Sequence, residues 1–384
     1  MKVQYSGRPL LGMIIGAGLL AGCVSSAAIV PPPRQAQPAH PGTHTGSGAV
    51  TVPIGPPVRS SAAPPPRGTL DPGFRRPAPG LNDRIAALWR AFPGKTGIAV
   101  QRIDGEWAIA QRGDELFPQQ SVSKLWVAMS ILDAVDNGRI GLDQKVRIGP
   151  EDLVVFHQPL AARVRSEGSV TMSVRDLIET AITHSDNLAN DSLLRTVGGP
   201  TAVRAFIAKK DLGSIRFGPG ERLLQSGTAG LTWQQSYSIG RNFQTARAAL
   251  PLATRQAAMN KYLADPVDGA SPSAIASALT RLARGTLLSP ASTDYLLGVM
   301  TRTRSGPQRL KAGLPAGWTF LHKTGTGQDL NGMTAGYNDI GIATAPDGTR
   351  YAIVVMMGST TSSIPARMQL MQAVSGAVAE FHGR

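Results

Sequence analysis

The sequence predicts an α/β domain of the α+β kind: an antiparallel sheet built from both ends of the folded region, with an all-helical subdomain inserted into it. Three observations lead there. Strand-like segments lie near residues 97–110 and return only after residue 319, while the stretch between residues 121 and 288 is mostly helical in its periodicity. The chain also has 384 residues, 42% of them hydrophobic, which is enough for a substantial core.

Taken in order, Lys2 and Arg8 precede an apolar run, Leu10 to Leu20, too short for a comfortable membrane span and suited to a signal-peptide core. The run ends in Leu20-Ala21-Gly22-Cys23, which resembles the lipobox of bacterial lipoproteins. Residues 1–22 are therefore expected to be a signal peptide and Cys23, the only cysteine, to carry the lipid. Val24 rather than aspartate follows it, so the resemblance implies an exported protein, lipid-anchored in the periplasm at the outer rather than the inner membrane. Residues 23–80 are rich in Pro, Ala, Ser and Gly, with stiff points at Pro31-Pro32-Pro33 and Pro64-Pro65-Pro66, and read as a semi-extended tether.

The folded domain, residues 81–384, opens with a helical stripe at Leu81, Ile85, Leu88, Trp89 and Phe92. A hairpin follows over 97–103 and 106–110, turning at Asp104-Gly105. Helices are predicted over 174–183, 188–196, 202–209, 254–263 and 275–284. Strands are predicted over 319–324, 337–345 and 351–357, and an amphipathic helix over 366–381 closes the chain.

The net charge is +14, of which residues 1–80 carry +6. Such a balance suits anionic surroundings such as lipid headgroups or cell-wall polymer. No run of five basic residues and no aromatic-basic interleaving occurs, which argues against nucleic acid. A single cysteine excludes an intrachain disulfide and a cysteine zinc cluster. His40 and His44 are four apart, but Pro41 and Gly42 separate them in the tether, and neither metal nor cofactor is expected.

Chemistry concentrates in three stretches. Ser121-Val122-Ser123-Lys124 precedes an apolar helical run, which places Ser121 at a helix N-terminus and Lys124 one turn on, an amine within reach of a hydroxyl that needs a base. Unpaired N–H groups at that terminus suit an oxyanion. Ser185-Asp186-Asn187 follows a helix; the same residue types also begin helices as caps. Lys323-Thr324-Gly325-Thr326-Gly327 ends a strand, where glycines would let a ligand lie along the edge, though a bulge with a solvated lysine has the same pattern. The three occur in this order at spacings of 64 and 138 residues.

That trio is shared by class A β-lactamases and penicillin-binding proteins. From Leu81 onward the chain resembles a class A β-lactamase. Asp152 to Phe156 is similar to the stretch bearing the aromatic wall of the family's cleft, and Arg309 to Trp318 to the segment before its Lys-Thr-Gly strand. The family's deacylating glutamate stands in Glu-x-x-Leu-Asn; here Glu221-Arg222-Leu223-Leu224-Gln225 lies 36 residues after Ser185. The resemblance implies the β-lactamase/transpeptidase-like fold and a monomeric serine hydrolase that opens the β-lactam amide and so confers antibiotic resistance. Ser121 is then the nucleophile, Lys124 and Glu221 bases, Ser185 the proton carrier to the leaving nitrogen, and Thr326 with Ser121 the oxyanion hole. Phe156, Asn187, Gln225, Arg309, Lys323 and Thr324 are the implied substrate contacts.

The chain departs from the family in three places. Asp191 replaces the asparagine that bonds the glutamate, so two carboxylates are expected in contact, with the pKa of Glu221 raised. Pro219 replaces the arginine that pins the omega loop to an aspartate, whose counterpart is Asp268, and residues 226–267 form an extended insertion. Gln225 is expected to hold the hydrolytic water through its amide oxygen. Two rival readings share the motifs: a D-alanyl-D-alanine carboxypeptidase or transpeptidase, and a catalytically weak cell-wall-binding lipoprotein.

Overall fold

Helix α1 (Leu81–Ala91) leads into strand β1 (Lys95–Arg102) and, past Asp104-Gly105, into β2 (Ala108–Gln111). The structure is a computed structural model that describes residues 75–383; the expected signal peptide, Cys23 and all but the last six residues of the expected tether lie outside them. Strand β3 (Phe117–Pro118) runs into a 3-10 turn, Gln120–Ser123, and helix α2 (Lys124–Asp136). Strand β4 (Lys145–Ile148), helix α3 (Ala161–Glu167), strand β5 (Val170–Ser173) and helices α4 (Val174–Thr183), α5 (Asn187–Val197) and α6 (Gly199–Lys209) follow. Next come α7 (Glu221–Ala229), α8 (Asn242–Ala249) and α9 (Leu252–Ala264). Strand β6 (Gly269–Ala270) and helices α10 (Pro272–Ala283) and α11 (Pro290–Thr301) precede β7 (Thr319–Thr326), β8 (Asp329–Leu330), β9 (Met333–Thr344) and β10 (Arg350–Thr360). Helix α12 (Ile364–Glu380) completes the domain.

The main sheet has the order β2-β1-β10-β9-β7, with β8 paired to β9, and every pairing is antiparallel. It joins the two ends of the domain, as the sequence predicts. Alternation along each strand divides its side chains between two cores. Ile98, Val100, Ile353, Val355 and Met357 pack with α1 and α12, whereas Ala99, Ala352, Val354 and Met356 face the helical side. With both faces covered, the central strands read as nearly continuous apolar runs.

Helix α2 is the axis of the helical side. Eleven of its thirteen residues are buried, from Lys124 through Ala134, because other elements surround it. Each large apolar side chain there contributes about 1.5–3 kcal/mol. The N-terminus of α2 is thereby fixed beneath strand β7, and that fixes Ser121 and Lys124 against Lys323. Helix starts follow capping chemistry: the side chains of Ser173, Asp186, Ser271, Ser289 and Ser363 accept a backbone N–H in the first turn of α4, α5, α10, α11 and α12.

The expected insertion, residues 226–267, begins inside α7, so the glutamate-bearing segment is a helix rather than a loop. Beyond it the segment folds as a 3-10 turn, Gln235–Ser238, then α8 and α9. Helix α8 packs Phe243 against Val155 and the aromatic group of Trp233 and Tyr237.

Candidate active site

Lys124 Nζ lies 2.6 Å from Ser121 Oγ, 2.6 Å from Asn187 Oδ1 and 3.1 Å from the Ser185 carbonyl oxygen. The amine is 1% exposed. Burial lowers its pKa, against the raising pull of Glu221, Asp186 and Asp191. A lowered amine beside a hydroxyl is the arrangement that activates a serine.

From strand β7, Lys323 Nζ donates to Ser185 Oγ at 2.8 Å and to the Thr324 carbonyl at 2.9 Å. Ser185 Oγ also lies 3.4 Å from Lys124 Nζ, so this hydroxyl stands between two amines. Burial drives the pKa of Lys323 well down, and the charges of Lys124 and Arg309 push the same way. Ser185 is held at φ 59°, and Gln120 and Phe156 have φ 54° and 60°; Ser185 and Phe156 line the cleft, and Gln120 directly precedes Ser121. Positive φ in these side-chain-bearing residues costs on the order of 1–3 kcal/mol, so the surrounding contacts over-determine the site.

Ser185-Asp186-Asn187 does form a helix cap, and Ser185 and Asn187 line the cleft. Asp186 caps α5 through the Ala189 N–H and also accepts from the Leu160 N–H, and this turns Ser185 and Asn187 toward the cleft. Asn187 Nδ2 donates to Glu221 Oε1 and to the Val155 carbonyl, both at 2.9 Å. Its carboxamide thus links Lys124 to Glu221 instead of standing free for a substrate.

Glu221 is the first residue of α7, after Gly220 at φ 96°. Burial raises its pKa, while Lys124, Gln225 and Lys323 pull it down. Asp191 meets Glu221 differently from expectation: its carboxylate accepts the Glu221 backbone N–H, at 3.3 and 3.4 Å, so the side chains are not the groups in contact. Burial first, then the Glu221 charge, pushes Asp191 up to about 7. The rise at Glu221 therefore comes from desolvation and not from a shared proton.

Among the described residues Asp268 has no arginine partner, as Pro219 implies, and the insertion supplies another. Tyr262, on α9, donates its hydroxyl to Asp268 Oδ1 at 2.8 Å and accepts from Gln120 Nε2 at 2.6 Å, while the Gln120 N–H donates to Asp268 Oδ2. Burial still raises Asp268 to about 6. Gln225 also departs from expectation. Its Oε1 accepts from Gln328 Nε2 at 2.8 Å and its Nε2 donates to Gln120 Oε1 at 3.1 Å, so one lone pair of the amide oxygen is taken by Gln328, between β7 and β8.

These residues open onto one cleft of about 600 Å³, lined by Ser121, Phe156, Ser185, Asn187, Glu221 and Gln225, with Arg309, Thr324 and Thr326 on the sheet side. Lys124 and Lys323 lie just behind its surface. Thr326 Oγ1 accepts from Arg309 Nη2 at 2.7 Å, and Thr324 Oγ1 lies 2.7 Å from Ser305 Oγ. Sequence reasoning missed Ser305, Gln328, Asp329 and Arg247, which also line the cleft. Gln328 and Asp329 directly follow the Lys-Thr-Gly stretch, a signal that was present; Ser305 and Arg247 belong to no motif.

The model of the beta-lactamase enzyme family matches residues 80–381. The extended-spectrum β-lactamase PER-1 of Pseudomonas aeruginosa is 28% identical over 304 residues, covering 79% of this chain and 88% of that protein. The β-lactamase VEB-1 of the same organism is 27% identical over 282 residues, covering 73% and 83%. Among solved structures, the TLA-3 extended-spectrum β-lactamase superposes with a TM-score of 0.66 at 26% identity, covering 79% of this chain and 99% of that one. A reconstructed ancestral class A β-lactamase gives a TM-score of 0.63 at 31% identity, covering 78% and 99%.

Proposed function

The chain belongs to the beta-lactamase enzyme family with the class A fold, and we propose that it hydrolyses β-lactams through an acyl-enzyme on Ser121. One observation carries the residue assignment: Ser121, Lys124, Asn187 and Glu221 form an unbroken chain of contacts of 2.6, 2.6 and 2.9 Å along the wall of a single cleft.

In this reading Ser121 Oγ attacks the lactam carbonyl as its proton passes to Lys124, or to Glu221 through a water. Backbone N–H groups of Ser121 and Thr326 receive the oxyanion; a donor of this kind is worth about 3–4 kcal/mol. Ser185, between Lys124 and Lys323, passes a proton to the departing nitrogen. Lys323, Thr324, Thr326 and Arg309 hold the ring carboxylate, and Phe156 walls the substrate. Glu221 then activates water against the ester, with Asn187 orienting its carboxylate.

Nitrocefin turnover by the purified protein tests this reading. Many cycles per enzyme support it. Stoichiometric acylation without turnover replaces it with a penicillin-binding transpeptidase or carboxypeptidase, and absence of labelling by a fluorescent penicillin replaces it with a binding protein.

The reading extends to location. Leu20-Ala21-Gly22-Cys23 supports lipidation at Cys23, with residues 24–80 as the tether that holds the enzyme at the periplasmic side of the outer membrane.

A further inference from the structure

Helix α8 of the insertion bridges the two sides of the cleft. On the helical side, Phe243 packs edge-on against Phe156, ring centroids 5.0 Å apart at 74°, and Phe243 is 1% exposed. One turn later, on the same face of the helix, Arg247 donates Nη2 to the carbonyl of Asp329 on β8, at 2.9 Å. Both Phe156 and Arg247 line the cavity that contains Ser121.

Arg247 makes no ion pair among the described residues, and its Nε is buried without a hydrogen-bond acceptor. Arg255, on α9, is in the same condition. Burial lowers the pKa of Arg247 and the adjacent Arg255 charge lowers it further, with only Asp329 opposing. Two cations lie together with the one carboxylate of Asp329 opposing them, which leaves an excess of positive charge behind the cleft-lining Arg247 that an anion would relieve.

The position of this doublet relative to a bound lactam follows from the proposed function, on which this inference rests. With the ring carboxylate at Lys323, Thr326 and Arg309 and the carbonyl at Ser121, the acylamino substituent leaves the four-membered ring on the other side. Arg247 lines that same cleft, tied to the backbone of Asp329, and is a cation of its wall that the ring carboxylate does not use. We propose that Arg247, backed by Arg255, is a specificity residue supplied by the insertion, which selects β-lactams whose acylamino side chain carries a carboxylate. The guanidinium N–H groups of Arg247 that are neither buried nor given to Asp329 meet a carboxylate with charge-assisted hydrogen bonds, and partial burial strengthens the pairing.

Carbenicillin and benzylpenicillin differ only by a carboxylate on that side chain, and the ratio of their kcat/KM values is the test. In Arg247→Met the ratio falls about tenfold, chiefly through the KM of carbenicillin. Arg247→Gln, which keeps a donor for the Asp329 carbonyl, falls alike, and Arg247→Lys retains part of the preference. Arg255→Met lowers the ratio about threefold, and added salt lowers it in the parent enzyme. A ratio unchanged in Arg247→Gln overturns the proposal and leaves Arg247 as a strut for β8. Failure of the parent enzyme to hydrolyse benzylpenicillin at all is a different result and overturns the hydrolase reading itself.

Discussion

At the scale of single residues the site depends on charges held out of water. Lys124 and Lys323 are buried and Glu221 and Asp191 half-buried, and in each the loss of solvent moves the pKa toward the neutral form. Asp191 gives the clearest consequence for stability. It binds its proton more tightly in the folded chain, at about 7, than an unfolded aspartate does. Its contribution is therefore complete at low pH and is lost as pH rises from the unfolded value through about 7. Asp191→Asn removes that loss, so the variant gains on the parent with rising pH, by at most about 4 kcal/mol at pH 8 and little at pH 4. Urea unfolding at the two pH values checks this; a gain independent of pH would place the cause elsewhere. The motif residues were legible because each stretch places a specific functional group at a turn or strand end. The hydrogen-bond commitments of Asn187 and Gln225 were not, since they depend on Val155, Gln120 and Gln328, partners far away in the chain.

At the scale of elements, the sheet and most helices could be read from periodicity, and α4 was delimited to the residue because Ser173 caps it and His184 ends it. The two-stranded ladders β3–β6 and β4–β5 escaped, being too short for a period to register. The insertion was legible only as surplus length with helical character. Its work became visible in three dimensions, where α9 sends Tyr262 to Asp268 and Gln120 behind the nucleophile. Tyr262→Phe leaves the buried Asp268 carboxylate and the Gln120 amide each short of a partner, so it should lower unfolding free energy by about 1–3 kcal/mol. An unaltered denaturation midpoint would mean that α9 does not anchor the nucleophile turn.

At the scale of the whole molecule, the proposed function sets an expected export signal and tether before a β-lactamase-family domain in which Ser121 and Glu221 line one cleft. Anchoring is checked by metabolic labelling with palmitate: the parent chain incorporates label and partitions with membranes, while Cys23→Ser does neither. Label retained in Cys23→Ser would refute the anchor. Ser121 and Glu221 come from segments a hundred residues apart, yet Lys124 and Asn187 connect them in space. The central claim is that one of these two groups forms the ester and the other removes it. Intact-protein mass spectrometry of Glu221→Gln after mixing with benzylpenicillin measures that division most directly: the account predicts a long-lived adduct of one penicillin per chain on Ser121, and rapid return to the unmodified mass with undiminished turnover would contradict it.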